Sequence, residues 1–215
     1  MSMKLKVKLV VFLVIGVVAA VIFVYQRFFS RAAKAKQALK QSVAVSLSEA
    51  IDNMVVKIVG RLELVDPANP LIGPLSERPC AHYALTVEQK SGKSSSTIID
   101  EKQTQDFWLV DETGRALVQA EGAQILLTID ARRKSGTGKD APPRLEKMLE
   151  ERGKKSKGWV FNKNLRYREG ALEPGETIAV MGLCRVQSDP QGGTRKVLTK
   201  PMDGDLIITD DVSLI

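Results

Sequence analysis

The sequence predicts a mainly β fold: a small barrel-like or sandwich domain with one short helix, preceded by a single N-terminal transmembrane helix. Three observations lead there. A 17-residue run without a charge lies near the start, polar and apolar side chains alternate beyond residue 43, and Gly- and Pro-rich turns punctuate that alternation. The implied organisation is a basic tail at 1–8, a span at 9–25, a basic juxtamembrane helix or stalk at 26–42 and a β domain at 43–215.

The apolar run reads LVVFLVIGVVAAVIFVY from Leu9 to Tyr25. As a helix rising about 1.5 Å per residue it covers about 25 Å, and Val7, Phe28 and Phe29 lengthen its apolar face while Lys8 and Arg27 snorkel outward. Backbone groups in lipid must pair within the segment, so helix is the demanded form. A cleaved leader is the competing reading, with Lys4, Lys6 and Lys8 as its charged region and Val18-Ala19-Ala20 as the cut. Apolar sequence continues through Val24, past that cut. Arg27, Arg31, Lys34, Lys36 and Lys40 outnumber the leading lysines and tilt the body toward the cytoplasm. The RAAKAKQALKQ stretch is Ala-rich and predicts helix, with its cations placed to meet anionic headgroups or simply to stop translocation.

In the body, VVKIVGRLELV sets Val56, Ile58, Gly60, Leu62 and Leu64 on one face and Lys57, Arg61 and Glu63 on the other. After a Pro-rich loop, Tyr83, Leu85 and Val87 alternate with His82, Thr86 and Glu88, and SGKSSS at 91–96 reads as a turn. Phe107–Val110 and Ala116–Gln119 flank Asp111-Glu112-Thr113-Gly114, a hairpin signature. Gln124–Asp130, Glu176–Gln187, Arg195–Thr199 and Asp205–Thr209 complete a set of seven or eight strands. One helix is expected at Arg144–Arg152, entered through Pro142-Pro143 and stopped by Gly153. A barrel is favoured over a sandwich because closure removes exposed edges.

Charge is unevenly placed. Eight of the 32 Lys and Arg, and none of the 25 Asp and Glu, fall in residues 1–40, so the remainder holds 24 basic against 25 acidic residues. The net charge of +7 therefore belongs to the N-terminal segment and argues against whole-domain nucleic-acid binding. Two cysteines cannot staple a fold of 215 residues.

Three stretches carry a family likeness. Pro70-Leu71 and Gly73-Pro74-Leu75-Ser76 lead to Arg78-Pro79-Cys80 and Tyr83; Phe107 to Val118 reads FWLVDETGRALV; Leu165 to Gly182 reads LRYREGALEPGETIAVMG. Together they resemble the GIDE domain, also called the BAM or "beside a membrane" domain, of mitochondrial and chloroplast envelope RING ubiquitin ligases and of shorter prokaryotic relatives. The resemblance covers about residues 45 to 210 and marks Pro79, Cys80, His82, Tyr83, Asp111, Gly114, Glu169, Gly175 and Gly182 as motif or interaction residues. It implies a membrane-tethered module that meets partner proteins, or alternatively a ligase-like role alongside a RING-bearing partner. A RING needs two tetrahedral sets of Cys and His ligands, and Cys80, Cys184 and His82 are all this chain offers.

Other residues carry competing chemical readings. Cys80 and His82, at i and i+2, share one strand face and with Cys184 could supply three metal ligands; the plainer reading is buried thiols acting as small hydrophobes, or a Cys80–Cys184 disulfide in an oxidising compartment. Ser76 and His82 lack the strand-to-helix elbow of a hydrolase, and Gly136-Thr137-Gly138-Lys139 lacks the spacing of a phosphate-binding loop. Residues 132–168 hold 13 Lys and Arg against four Asp and Glu, interleaved with Trp159, Phe161 and Tyr167. Lys154, Lys155, Lys157 and Trp159 are thus a candidate patch for anionic headgroups or single-stranded nucleic acid, against a plain solvated loop. The expectation is a non-catalytic interaction module without a cofactor, its partners a lipid bilayer and unidentified proteins, with nucleic acid disfavoured.

Overall fold

The computed structural model describes residues 31–135, 143–154, 164–190 and 192–215, together with Gly16. A helix that includes residues 31–41 (α1) comes first. It is followed by β1 (Val55–Leu64), β2 (Leu71–Ile72), β3 (Pro79–Cys80), β4 (His82–Ser91), β5 (Ser94–Thr104), β6 (Phe107–Asp111), β7 (Gly114–Val118), β8 (Gln124–Leu126) and β9 (Ala131–Ser135). Then come α2 (Pro143–Glu151), β10 (Asn164–Leu172), β11 (Thr177–Ser188), β12 (Thr194–Thr199) and β13 (Ile207–Thr209). The sequence's membrane span at 9–25 lies outside the described residues, apart from Gly16. Among the described residues no helix is long and apolar enough to cross a membrane.

Five strands close into a barrel in the order β1, β6, β7, β12, β11 and back to β1. The closing pair is antiparallel, from Val55↔Leu183 to Arg61↔Thr177, while β7 and β12 run parallel. With its first strand joined to its fourth and its third parallel to its fifth, the ring has the connectivity of an OB-type barrel. Alternation fills it: Ile58, Leu62, Phe107, Leu109, Val118, Ile178, Val180 and Leu198 are all fully buried inside. β13 pairs with β11 beyond the end of β12 and carries β8 in parallel as an outer ribbon.

Two excursions from the barrel build a second, antiparallel sheet in the order β5, β4, β10, β9. β4 and β5 arise between the first and second barrel strands, β9 and β10 between the third and fourth. One face packs Tyr83, Leu85, Val87, Leu165 and Tyr167 against Leu145, Met148 and Leu149 of α2. Those three sit at helical spacing, and Gly153 ends the turn that follows α2 at φ +66°. The opposite face meets the barrel's 120–129 segment.

Gly170 shows how close that approach is. A Cβ there would lie 2.5 Å from Thr128 O and 3.0 Å from Leu127 Cβ, and backbone cannot yield as a side chain would. Gly170→Ala is expected to lower unfolding stability by about 2–3 kcal/mol in a denaturant titration, by forcing the sheet off the barrel. Unchanged stability would mean that the two bodies have slack between them.

The helix at Arg144–Arg152, the 107–118 hairpin and the strands beginning near Val56, His82, Glu176 and Arg195 fall where the sequence predicts them. Three expectations need correction. The Gln124–Asp130 strand is only the three residues of β8, because Thr128 turns off to Asp210: its N–H and Oγ1 donate to that carboxylate, each at 2.8 Å. The SGKSSS turn narrows to two residues, and β5 continues from Ser94 through a mostly exposed polar stretch. Barrel closure leaves edges elsewhere, on β5, β9 and β8. Residues 31–41 form the helix that the Ala-rich stretch predicts, and that helix is docked, with Ala35 and Leu39 buried against Ile207 and Leu214.

Candidate functional site

The loop at 73–80, the core of the resemblance, is built on Glu169. This β10 side chain is 1% exposed, and its carboxylate accepts the N–H of Leu75 at 2.5 Å and of Ser76 at 3.0 Å. Gly73 makes room, because a Cβ there would stand 2.8 Å from Glu169 Oε1. The loop folds on itself as Glu77 N–H donates to Gly73 O and Gly73 N–H to Arg78 O. Arg144 of α2 donates to Leu75 O and pairs with Glu77, while Arg78 pairs with Glu173 at 2.8 Å. Pro79 and Cys80 form β3, and Ser76 Oγ accepts the Arg78 N–H at 3.4 Å, a turn role.

The other motif residues are likewise engaged locally. Tyr83 donates its hydroxyl to Glu101 at 2.5 Å, and Arg152 grips the same carboxylate through Nε at 2.5 Å and Nη2 at 3.1 Å, pinning the end of α2. Burial and that hydrogen bond to Glu101 push the Tyr83 phenol pKa upward. Asp111 Oδ1 accepts from Thr113 N–H, Thr113 Oγ1 and Gly114 N–H, closing the hairpin, and Oδ2 accepts from Leu47 N–H. Gly175 turns at φ +89° and donates to Leu62 O. Gly182 lets Leu206 pack onto β11, where a Cβ would sit 2.5 Å from Leu206 Cδ1.

The grouping of Cys80, His82 and Cys184 does not form. Cys80 points into the core under α2, Ala81 into the barrel and His82 onto the opposite face of the second sheet, because the chain bends at Ala81 between β3 and β4. The expected shared face for Cys80 and His82 is therefore broken. Cys184 is buried in the barrel core, both thiols are free, and the disulfide alternative falls with them. Among the described residues no three of His, Cys, Asp and Glu gather to hold a metal ion. Burial, reinforced by Glu169, Glu173 and Glu176, pushes the Cys80 thiol up to about 12, which keeps it protonated.

His82 has a measurable consequence. It is 3% exposed, its Nδ1 lies 2.6 Å from Thr104 Oγ1, and burial, with Lys102 adding repulsion, holds the imidazole down to about 4. A histidine in the unfolded chain titrates near 6.5, so the unfolded state takes up the proton first. The stability that neutral His82 confers is complete above pH 6.5 and drains away as pH falls toward 4, by up to about 3 kcal/mol. Denaturant melts at pH 7 and 4.5 are expected to show a loss about 2–3 kcal/mol larger in the parent chain than in His82→Asn.

Beside His82 opens a cleft of about 740 Å³, a volume typical of ligand sites. Its floor is the face of the second sheet, with Ala84, Thr86, Lys102, Arg168 and Gly170; its wall is the 120–129 segment. It adjoins a second hollow of about 430 Å³ that shares Lys102, Gly122, Ala123 and Ile125 and ends at Arg31 and Ala32 of α1. Arg168 is paired with Glu88 at 3.3 Å, and Lys102 is exposed.

No family model matches the chain, and no curated protein or solved structure does either.

Of the candidate anion patch, Lys154 is exposed just beyond α2, while Lys155, Lys157 and Trp159 lie outside the described residues. The cleft itself escapes sequence reading. Its lining comes from strands 80 positions apart, and its one local signal is the smallness of Ala84 and Gly170, paired across β4 and β10.

Proposed function

We propose that this chain is a membrane-anchored, non-catalytic protein-interaction module of the GIDE/BAM type, tethered by residues 9–25 with its body on the cytoplasmic side. The observation that carries the reading is the seating of α1. Leu39 is fully buried and Ala35 nearly so against Ile207 and Leu214, and Arg31 pairs with Asp205 at 2.8 Å. A span entering this helix would hold the barrel at a fixed attitude to the lipid surface, with Lys34, Lys36 and Lys40 exposed toward anionic headgroups. The module would then work by shape, which agrees with the Glu169 and Asp111 side chains that hold loops in place.

Alkaline extraction of membranes is the first test: the full chain is expected in the pellet, and its release into the supernatant would overturn the anchor. Sidedness needs a new thiol, because Cys80 and Cys184 are buried; Met202→Cys, at a site 94% exposed, is expected to react with an impermeant maleimide only after lysis. Photo-crosslinkers placed at Ser95, Ile129 and Met202 in native membranes are expected to give discrete adducts from at least one position. No adduct from any of them would sink the interaction reading.

A further inference from the structure

We propose that the cleft beside His82 receives an extended polypeptide segment of a partner, which adds as a strand to the free edge of β8 and sets an acidic side chain beside Lys102. The inference rests on the reading of the chain as an interaction module and names the kind of partner that module takes.

The argument begins with unpaired backbone. β8 is the last strand of its sheet and β5 the last of the other, and both line the cleft and the adjoining hollow. Gln124 N–H donates to Leu206 O at 2.7 Å toward β13, so by ladder alternation the N–H and C=O of Ile125 face away from β13. On β5, Gln105 N–H donates to Ala81 O, which by the same alternation turns the backbone groups of Thr104 and Lys102 away from β4. A polypeptide is the ligand class that answers such groups along a line, with main-chain bonds supplying affinity and alternate side-chain sites supplying selectivity.

The side chains fit the same occupant. Ile125, Leu127 and Ile129 recur at every second position along the wall, and Ile129 is 44% exposed. Ala84 keeps the floor low, leaving depth for a strand's own side chains, and Ala123 does the same for the wall. Lys102 has no ion-pair partner among the described residues and stands where the two hollows meet, so a carboxylate there would be complemented. Edge exposure alone would invite any strand. β8 is three residues long and recessed in the cleft, whereas the long β5 edge carries Asp100 and Lys102, so selective pairing belongs at β8.

The test uses the full chain in nanodiscs and a set of acetylated six-residue peptides of alternating Val and Thr, with one Glu moved through each position. A binding member is expected to slow amide exchange at Ile125 and Leu127 at least tenfold. Lys102→Glu is expected to weaken that member at least tenfold while leaving the thermal melt unchanged, and N-methylation of its alternate amides to abolish the protection. If no member protects those amides, or the methylated peptide protects them equally, strand addition at β8 is wrong. Adducts that persist in native membranes alongside such a failure would leave the module reading intact; their absence would remove both.

Discussion

Replacing Glu169 by alanine is expected to destabilise the protein by about 3–5 kcal/mol. The carboxylate is almost fully buried and accepts two backbone N–H bonds from Leu75 and Ser76. Bonds to a charged acceptor contribute about 1.5–3 kcal/mol each, and removing the acceptor leaves two N–H groups without a partner. The loop would then lose its register, and with it the Arg144 bond to Leu75 O and the Arg78–Glu173 pair that tie it to α2 and to the β10–β11 turn. Glu169→Gln keeps the shape and one acceptor oxygen, so it should recover about half of the loss. Denaturant titration of the three proteins checks this. Equal stability of the alanine variant and the parent would show that the loop holds itself.

Lys57→Met is the second large effect, expected at about 3 kcal/mol. Lys57 lies on the outer face of β1, where alternation alone would leave it in water, yet it is 6% exposed. Its Nζ donates to Leu214 O at 2.8 Å, Ile215 O at 3.1 Å and Leu39 O at 3.2 Å, using all three ammonium protons. A cation at the last turn of α1 is favourably placed against the helix dipole. Methionine fills the space and supplies no donor, so three carbonyls lose their partner. Because the bonds join α1 to the 214–215 segment, the variant should also expose residues 31–42 to protease while the barrel melts as one unit. Protease resistance equal to the parent would show that Ala35 and Leu39 seat the helix unaided.

The barrel strands β1 and β11, and β4 of the second sheet, were legible in the sequence because their residues alternate between two different surroundings. Lys57 and His82 are where that logic stops. Both read as outward-facing, and both are buried because another part of the chain covers the outer face: α1 over β1, the 120–129 segment over β4. β5 was illegible for the opposite reason, since a polar edge strand held chiefly by its hairpin partner carries no apolar period. The work of Glu169 was not readable from spacing. That Glu169 and Leu75 meet depends on β10 lying beside β4, a pairing without a local signature.

The way the second sheet is assembled bears on how the chain reaches this fold. β4 and β10 are paired although Glu88 and Arg168 stand 80 positions apart, and the barrel cannot close until β11 returns to β1. Contact order is therefore high, and loop-closure entropy must be met before the reward of pairing arrives, a topology that folds in milliseconds to seconds. On the ribosome, β1 and the β4–β5 hairpin emerge long before their partners exist, so the nascent body waits with open strands and is a natural client for chaperones during synthesis.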